Sequence, residues 1–379
     1  MLQRFALLAA FALLPLASVA HAAPLFEQTD LVSSVPGLAP VTDPNLKNPW
    51  GIASSPTGPL WVANQVTATS TVYNGAGQPF PLGTPLVVTI PTVPGPPSGP
   101  TGVVFNPSSE FQTGGIAGPA AVFIFSTLDG TLAAWHPSNG TSAVTPAAAP
   151  DGAVYTGLAI GNNGSGNFLY VADSANAKID VYNGSFAKTS LAGSFADPNL
   201  PAGFTPYNVQ NLGGKLLVTY ENEASGGGIV NEFDLNGNFL RRVSSNAAGG
   251  PLDSPWGLAF APASFGTFAG ALLVGNEGDG HISAFNFATG DFLGQLLDTS
   301  GNPVANPGLW GLIPGNGGEG GDPDALYLVA GIEDEQQGLL ASLRPAGAAV
   351  PEPSAAFVLM LGAVILVTSG VRWIKGSSP

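Results

Sequence analysis

Short apolar stretches alternate along this chain with clusters of Gly, Pro, Asn, Asp and Ser, and the alternation itself repeats. Each unit has a Gly within a short apolar stretch, then a strand-like stretch closing on Asn or Asp, then a third closing on an aromatic residue. The first unit reads Pro49-Trp50-Gly51-Ile52-Ala53, Leu60-Trp61-Val62-Ala63-Asn64 and Ser70-Thr71-Val72-Tyr73-Asn74. The fifth is nearly the same: Pro255-Trp256-Gly257-Leu258-Ala259, Leu272-Leu273-Val274-Gly275-Asn276 and Gly280-His281-Ile282-Ser283-Ala284-Phe285. Taking Gly51, Gly102, Gly157, Asn208, Gly257 and Gly311 as markers, six copies follow one another at intervals of roughly fifty residues. The fourth copy diverges most, replacing Gly with Asn208, the side chain that best tolerates a left-handed backbone.

Short strands with turn residues between them, repeated at this period, predict a six-bladed all-β propeller with one repeat per blade. A lone blade cannot bury both faces of its sheet, so blades stack around an axis and the Val, Ile, Leu and Phe positions fill the layers between them. Trp50, Trp256 and Trp310 are expected to be core between blades, with an approach to the channel mouth as the alternative. Closure needs one more strand, and Phe26 to Val32 is placed to be the outermost strand of the sixth blade. The propeller is thus expected over residues 23–343, without a second domain.

Composition narrows the chemistry. Ten Lys and Arg face 25 Asp and Glu, a formal net charge of −15, which disfavours nucleic acid because phosphate binding relies on clustered basic residues. Gly (52) and Pro (35) make the chain turn-rich, yet 45% hydrophobic residues with 21 Phe is too apolar for disorder. Cysteine is absent, which excludes disulfides, a Cys nucleophile and Cys-ligated metal centres.

The two ends read as addresses. Residues 1–22 carry Arg4, an apolar run and Ala20-His21-Ala22, the pattern of a cleavable secretory signal. At the other end a spacer (344–354) holds Val350-Pro351-Glu352-Pro353 and leads to an uncharged apolar run, 355–371. That run lies at the lower limit of the roughly 17–25 residues that span a bilayer as a helix. A basic stub, 372–379 with Arg372 and Lys375, would stay on the cytoplasmic side. The order of motif, helix and basic stub resembles the PEP-CTERM sorting signal of Gram-negative bacteria. The resemblance implies an exosortase as partner, transient residence in the inner membrane, and a final place at the cell surface or outside the cell. The repeats, with Leu252-Asp253-Ser254-Pro255-Trp256-Gly257-Leu258-Ala259 and Gly308-Leu309-Trp310-Gly311-Leu312, resemble an uncharacterised family of exported bacterial proteins. Some members carry such tails, and the family implies no activity. The strand pattern is also similar to NHL-type propellers, at the level of the repeat.

Candidate chemistry is sparse. Once His21 leaves with the signal, His136 and His281 remain, at different points of their repeats and not expected to converge. No G-x-S-x-G elbow occurs. The polar residues closing the second strands, Asn64, Ser126, Asp173, Glu221 and Asn276, with Glu333 as a further candidate, could face a shared channel mouth. An oxygen set built from Asn64, Asp173, Glu221 and Asn276 would suit Ca2+, and the competing reading makes these residues turn formers. Asp234-Leu235-Asn236-Gly237-Asn238 reads as an Asn-Gly hairpin before it reads as a calcium loop. Gly315 to Asp322 is expected to be a mobile loop. These readings favour a non-enzymatic binding or matrix propeller, with polysaccharide or protein as ligand. A metal-dependent hydrolase or lactonase is the alternative.

Overall fold

A computed structural model describes residues 24–347 apart from 94, 96, 97, 117 and 150. The sorting motif Val350 to Pro353, the apolar run 355–371, Arg372 and Lys375 lie outside the described residues, as does the N-terminal signal. Six sheets follow one another along the chain, five of four antiparallel strands and the last of six, in which the short strands Val41–Thr42 and Leu297–Asp298 pair in parallel with Leu25–Ser33. The innermost strands are Pro49–Ser54, Pro100–Phe105, Tyr155–Asn162, Thr205–Leu212, Pro255–Phe260 and Leu309–Pro314. Each packs against its counterpart in the next blade, and Leu309–Pro314 packs back against Pro49–Ser54, so the ring is closed. Among the described residues the only helical pieces are two single 3-10 turns, Pro137–Asn139 and Gly266–Phe268, and no described helix is long and apolar enough to cross a membrane.

The second strand of each blade is buried on both faces, so it is apolar on both sides rather than alternating with polar residues. Along Leu60–Asn64, Leu60 and Val62 face the sixth blade while Trp61 and Ala63 face the second. Six hydrophobic clusters result, one in each gap between neighbouring blades. Closure comes from Leu25–Ser33, which pairs antiparallel with Leu339–Pro345 as the outer strand of the sixth blade, as the sequence places it. Phe26 on that strand packs on Phe265, ring centroids 4.8 Å apart, and so ties the closing strand to the fifth blade.

The repeated marker has a different cause from the one its residue types suggest. None of Gly51, Gly102, Gly157, Asn208, Gly257 and Gly311 has a left-handed backbone. What they share is crowding near the axis. A Cβ on Gly51 would lie 2.5 Å from the Thr101 carbonyl oxygen, and one on Gly257 would lie 2.4 Å from that of Trp310. Asn208 fits where the others are Gly because its amide is used: Nδ2 donates to the Trp256 carbonyl at 2.8 Å, bridging the fourth and fifth blades. Every innermost strand also breaks register with its partner at the marker, between Pro49 and Ile52, Tyr155 and Gly157, Pro206 and Asn208, Pro255 and Gly257, and likewise in the second and sixth blades. The residue before each marker therefore sits in a β-bulge, which frees its side chain from the alternation of the strand.

Candidate functional site

The bulges decide where the tryptophans go. The residues they release are Trp50, Thr101, Thr156, Tyr207, Trp256 and Trp310, all at the end of the ring where the innermost strands begin. Trp50 stacks on Trp310 with ring centroids 3.6 Å apart, and lies edge-on to Trp256 at 6.2 Å and to Tyr207 at 6.3 Å. Trp50 and Tyr207 belong to the first and fourth blades, on opposite sides of the ring, so their contact crosses the axis. Trp256 also crosses it, its Nε1 donating to the Thr156 carbonyl of the third blade at 2.9 Å. The expectation of tryptophans packed only between blades is therefore corrected: they plug the channel, and the plug is continuous with the core between blades six and one. Behind it the channel holds a partly open cavity of about 280 Å3, walled by Ile52, Val103, Leu158, Val209 and Leu312 and bounded by Trp256.

On the mouth side of the plug the register of the second strands separates two kinds of residue. Pro49 pairs with Asn64, Tyr155 with Asp173, Pro206 with Tyr220 and Pro255 with Asn276. Glu221 is thus one residue further along than the others and corresponds to Glu277. Since successive side chains on a strand point to opposite sides, Asn64, Asp173 and Asn276 turn into the blades, where each is fully buried. Asn64 Nδ2 donates to Thr71 Oγ1 at 3.0 Å, and Asn276 Nδ2 donates to the Pro251 carbonyl at 3.1 Å. Asp173 accepts from the Val154 N–H at 3.2 Å and from Asn176 Nδ2 at 2.8 Å. The four residues named as a Ca2+ set do not converge, and they do not form one coordination sphere. Ser126, the residue before the one pairing with Pro100, hydrogen-bonds Thr101 inside the second blade.

What does converge is Glu221, Glu277 and Glu335, from the fourth, fifth and sixth blades. Burial pushes the Glu221 carboxyl up to about 8, with Glu223 and Glu277 adding to it. Burial likewise pushes Glu277 up to about 7, reinforced by Glu335 and Asp253. Glu335 is raised by burial too, opposed by the hydrogen bond from Asn48 Nδ2 at 3.1 Å. Tyr207 reaches into the same group: burial raises its hydroxyl, followed by the fields of Glu221, Glu277, Glu335 and Glu223. No ion pair among the described residues involves these three glutamates. Asn48 joins rim to plug, for its Oδ1 accepts from Trp310 Nε1 at 3.0 Å while its Nδ2 also reaches Gln65 Oε1 at 3.1 Å. Glu333, the candidate of the sixth blade, is exposed, and Glu335 two residues on is the one that turns inward.

Sequence reasoning missed Glu277 and Glu335. Counting from the marker could not align Glu221 with Glu277, because the first hairpin of the fourth blade turns between Leu212 and Lys215 while that of the fifth runs from Phe260 to Leu272. Only strand pairing puts the two in register.

The other candidates are accounted for locally. Asp151, Asp173 and Asp180 bring carboxylate oxygens within 4.8 Å of one another, but two ammonium groups already sit among them. Lys178 Nζ is 2.6 Å from Asp151 and 3.5 Å from Asp180, and Lys188 Nζ is 2.7 Å from Asp180. The hydrogen bond to Asp151 raises Lys178, and the same contact lowers Asp151. Asp234 Oδ1 accepts from the Asn236 and Asn238 N–H groups at 2.8 and 2.9 Å, which makes the segment a hairpin turn. His136 caps the 3-10 turn at Pro137, and His281 contacts Asp279 at 3.1 Å on the blade across the ring. The segment Gly315 to Asp322, expected to be mobile, is pinned to the first blade. Asn316 Nδ2 donates to the Ser55 and Gly58 carbonyls at 2.9 and 2.8 Å, and the Glu319 N–H donates to Thr57.

No family model matches the chain. The chain is 32% identical over 332 residues to the uncharacterized protein R648 of Acanthamoeba polyphaga mimivirus, covering 83% of this chain and 78% of that protein. It matches the uncharacterized protein L690 of the same virus at 32% over 333 residues, covering 83% and 84%. The chain belongs to this uncharacterised family. These relatives are viral and not the exported bacterial proteins expected from the repeat; what stands is an uncharacterised family and a propeller fold. Solved structures extend the likeness in shape. A glucose dehydrogenase superposes with a TM-score of 0.54 at 14% identity, over 85% of this chain and 100% of that one. The PQQ-bound aldose sugar dehydrogenase of Streptomyces coelicolor gives 0.51 at 16%, over 85% and 100%. Virginiamycin B lyase of Staphylococcus aureus gives 0.50 at 11%, over 84% and 99%. At such identities the likeness is one of fold, shared by family members with proteins of unrelated chemistry.

Proposed function

We propose that this chain is an exported binding propeller, carried to the cell surface or extracellular matrix by its C-terminal segment and presenting its acidic channel mouth to a polysaccharide or protein ligand. The observation that carries the reading is the convergence of Glu221, Glu277 and Glu335 on one mouth with no basic partner among the described residues. Carboxylates held partly out of water without a counter-charge are costly to a fold, and a ligand that compensates them recovers that cost. Strand direction supports display. Leu339–Pro345 ends, and Leu25–Ser33 begins, on the face opposite the mouth, where Phe26 pairs with Pro345. A tether leaving from Gly347 would then point the mouth away from the membrane. Delivery is assigned to Pro351-Glu352-Pro353 and an exosortase, with Arg372 and Lys375 retaining the segment 355–371 until it is cut.

The test is made in cells that secrete the protein. Replacing Pro351, Glu352 and Pro353 with Ala should leave an uncut chain in the inner membrane fraction; unchanged release would refute the sorting assignment. Separately, Glu221→Gln with Glu277→Gln should wash out of the surface matrix while the parent is retained, and equal retention would refute the mouth as the binding site.

A further inference from the structure

Resting on the reading of the mouth as a ligand site, we infer that its ligand is an organic cation carrying two or more separated ammonium groups, rather than a bare metal ion. Spacing is the first argument. Oxygens around one Ca2+ are bound at roughly 2.3–2.6 Å and so lie within about 5 Å of one another. Among the described residues, Asp151, Asp173 and Asp180 are the one trio of acidic or histidine side chains whose ligand atoms meet a limit of 4.8 Å. Glu221, Glu277 and Glu335, on three separate blades, do not all fall within that limit. A single small ion would leave at least one of them uncompensated, whereas separated ammonium groups can reach each.

The second argument is the aromatic floor and the Tyr207 hydroxyl in it. Tyr207 is 8% exposed, and its hydroxyl makes no hydrogen bond among the described residues although four carboxylates lie around it. A phenol hydroxyl there can accept from a ligand N–H and donate to a carboxylate. Its ring lies edge-on to Trp310 at 5.8 Å and to Trp50 at 6.3 Å, so the mouth is floored by aromatic groups, which attract ammonium and alkyl groups alike. Lys178 and Lys188 are engaged with the aspartates of the third blade, Arg242 with Asp197, Arg241 with Glu232 and Arg344 with Asp322, while Lys47, beside Asn48, makes no ion pair with the three glutamates. The formal net charge of −15 also favours the approach of a cation.

Spermidine and calcium chloride are the two probes, titrated calorimetrically into the purified full chain at pH 8.5 and at pH 6. The groups that titrate are Glu221, facing Glu223 and Glu277, and Glu277, facing Glu335 and Asp253. They are ionised at the higher pH and largely protonated at the lower. The two terminal ammonium groups of spermidine stay charged over that range, so its binding should be roughly tenfold or more tighter at pH 8.5, the factor that one lost charge-assisted contact would produce. Glu221→Gln with Glu277→Gln should weaken it by a similar factor, while Asp291→Asn, on the opposite face, should not. Thermal unfolding of each variant checks that the ring is intact. Calcium binding that depends on Glu277, with no binding of spermidine, would overturn the ligand class and leave the mouth as the site. Absence of binding by either probe would overturn both.

Discussion

Six residues, one before each marker, carry most of the architecture at the channel mouth. A β-bulge in each innermost strand takes Trp50, Tyr207, Trp256 and Trp310 out of the two-residue alternation and turns them to the axis, where neighbouring strands run too close for a Cβ. The glycine after the bulge is thus a packing requirement, not a conformational one. Gly257→Ala should cost about 1–3 kcal/mol, since the new methyl meets a backbone oxygen that cannot swing away. Urea unfolding measures this, and an unchanged midpoint would mean that the inner strands can spread. Asn208 was legible as an exception in the repeat, but its reason was not: the hydrogen bond to the Trp256 carbonyl depends on a residue almost one repeat away.

Strands and hairpins show the same division between what spacing reveals and what pairing adds. The apolar second strands follow from composition, because a strand buried on both faces is apolar throughout, and the closing role of Phe26 to Val32 follows from its place ahead of the first repeat. Register does not follow, since hairpin loops vary in length from blade to blade; the displacement of Glu221 from Asn64, Asp173 and Asn276 was therefore hidden. The segment 315–322 departs from its expected mobility for a related reason. Its glycines suggest mobility, yet Asn316 finds three acceptors on the neighbouring blade. Closure can be tested through one side chain. Phe26 is 1% exposed and packs on Phe265 and Phe268, so Phe26→Ala should lose about 3–5 kcal/mol and loosen the seam between the last two blades. Hydrogen exchange should show the loss of protection beginning in Leu25–Ser33 and Leu339–Pro345; uniform loss around the ring would contradict a closing role.

The whole ring has two unlike faces. One presents the acidic mouth, and from the other both ends of the described chain depart. This asymmetry gives the protein a pH dependence of definite sign. Glu221 and Glu277 have folded-state values raised to about 8 and about 7 from an ordinary value of 4.5, so between those limits the folded chain holds protons that the unfolded chain has released. Their contribution is therefore harmless below about pH 4.5, and stability falls as pH rises through 7 to 8. Glu277→Gln should raise the melting temperature at pH 8.5 and leave it nearly unchanged at pH 4. A gain at pH 4, or none at pH 8.5, would show that the carboxylate is better solvated than its surroundings imply.

Blade number, closing strand and cysteine-free apolar layers are all present in the order of residues, because each depends on neighbours within one repeat or on the period itself. The plug of aromatic rings and the meeting of Glu221, Glu277 and Glu335 depend on residues from blades tens of residues apart, brought together around an axis that no single repeat contains. A repeat encodes its own sheet and the surfaces by which it stacks. What collects at the centre is the sum of six slightly different copies, and only ring closure performs that sum.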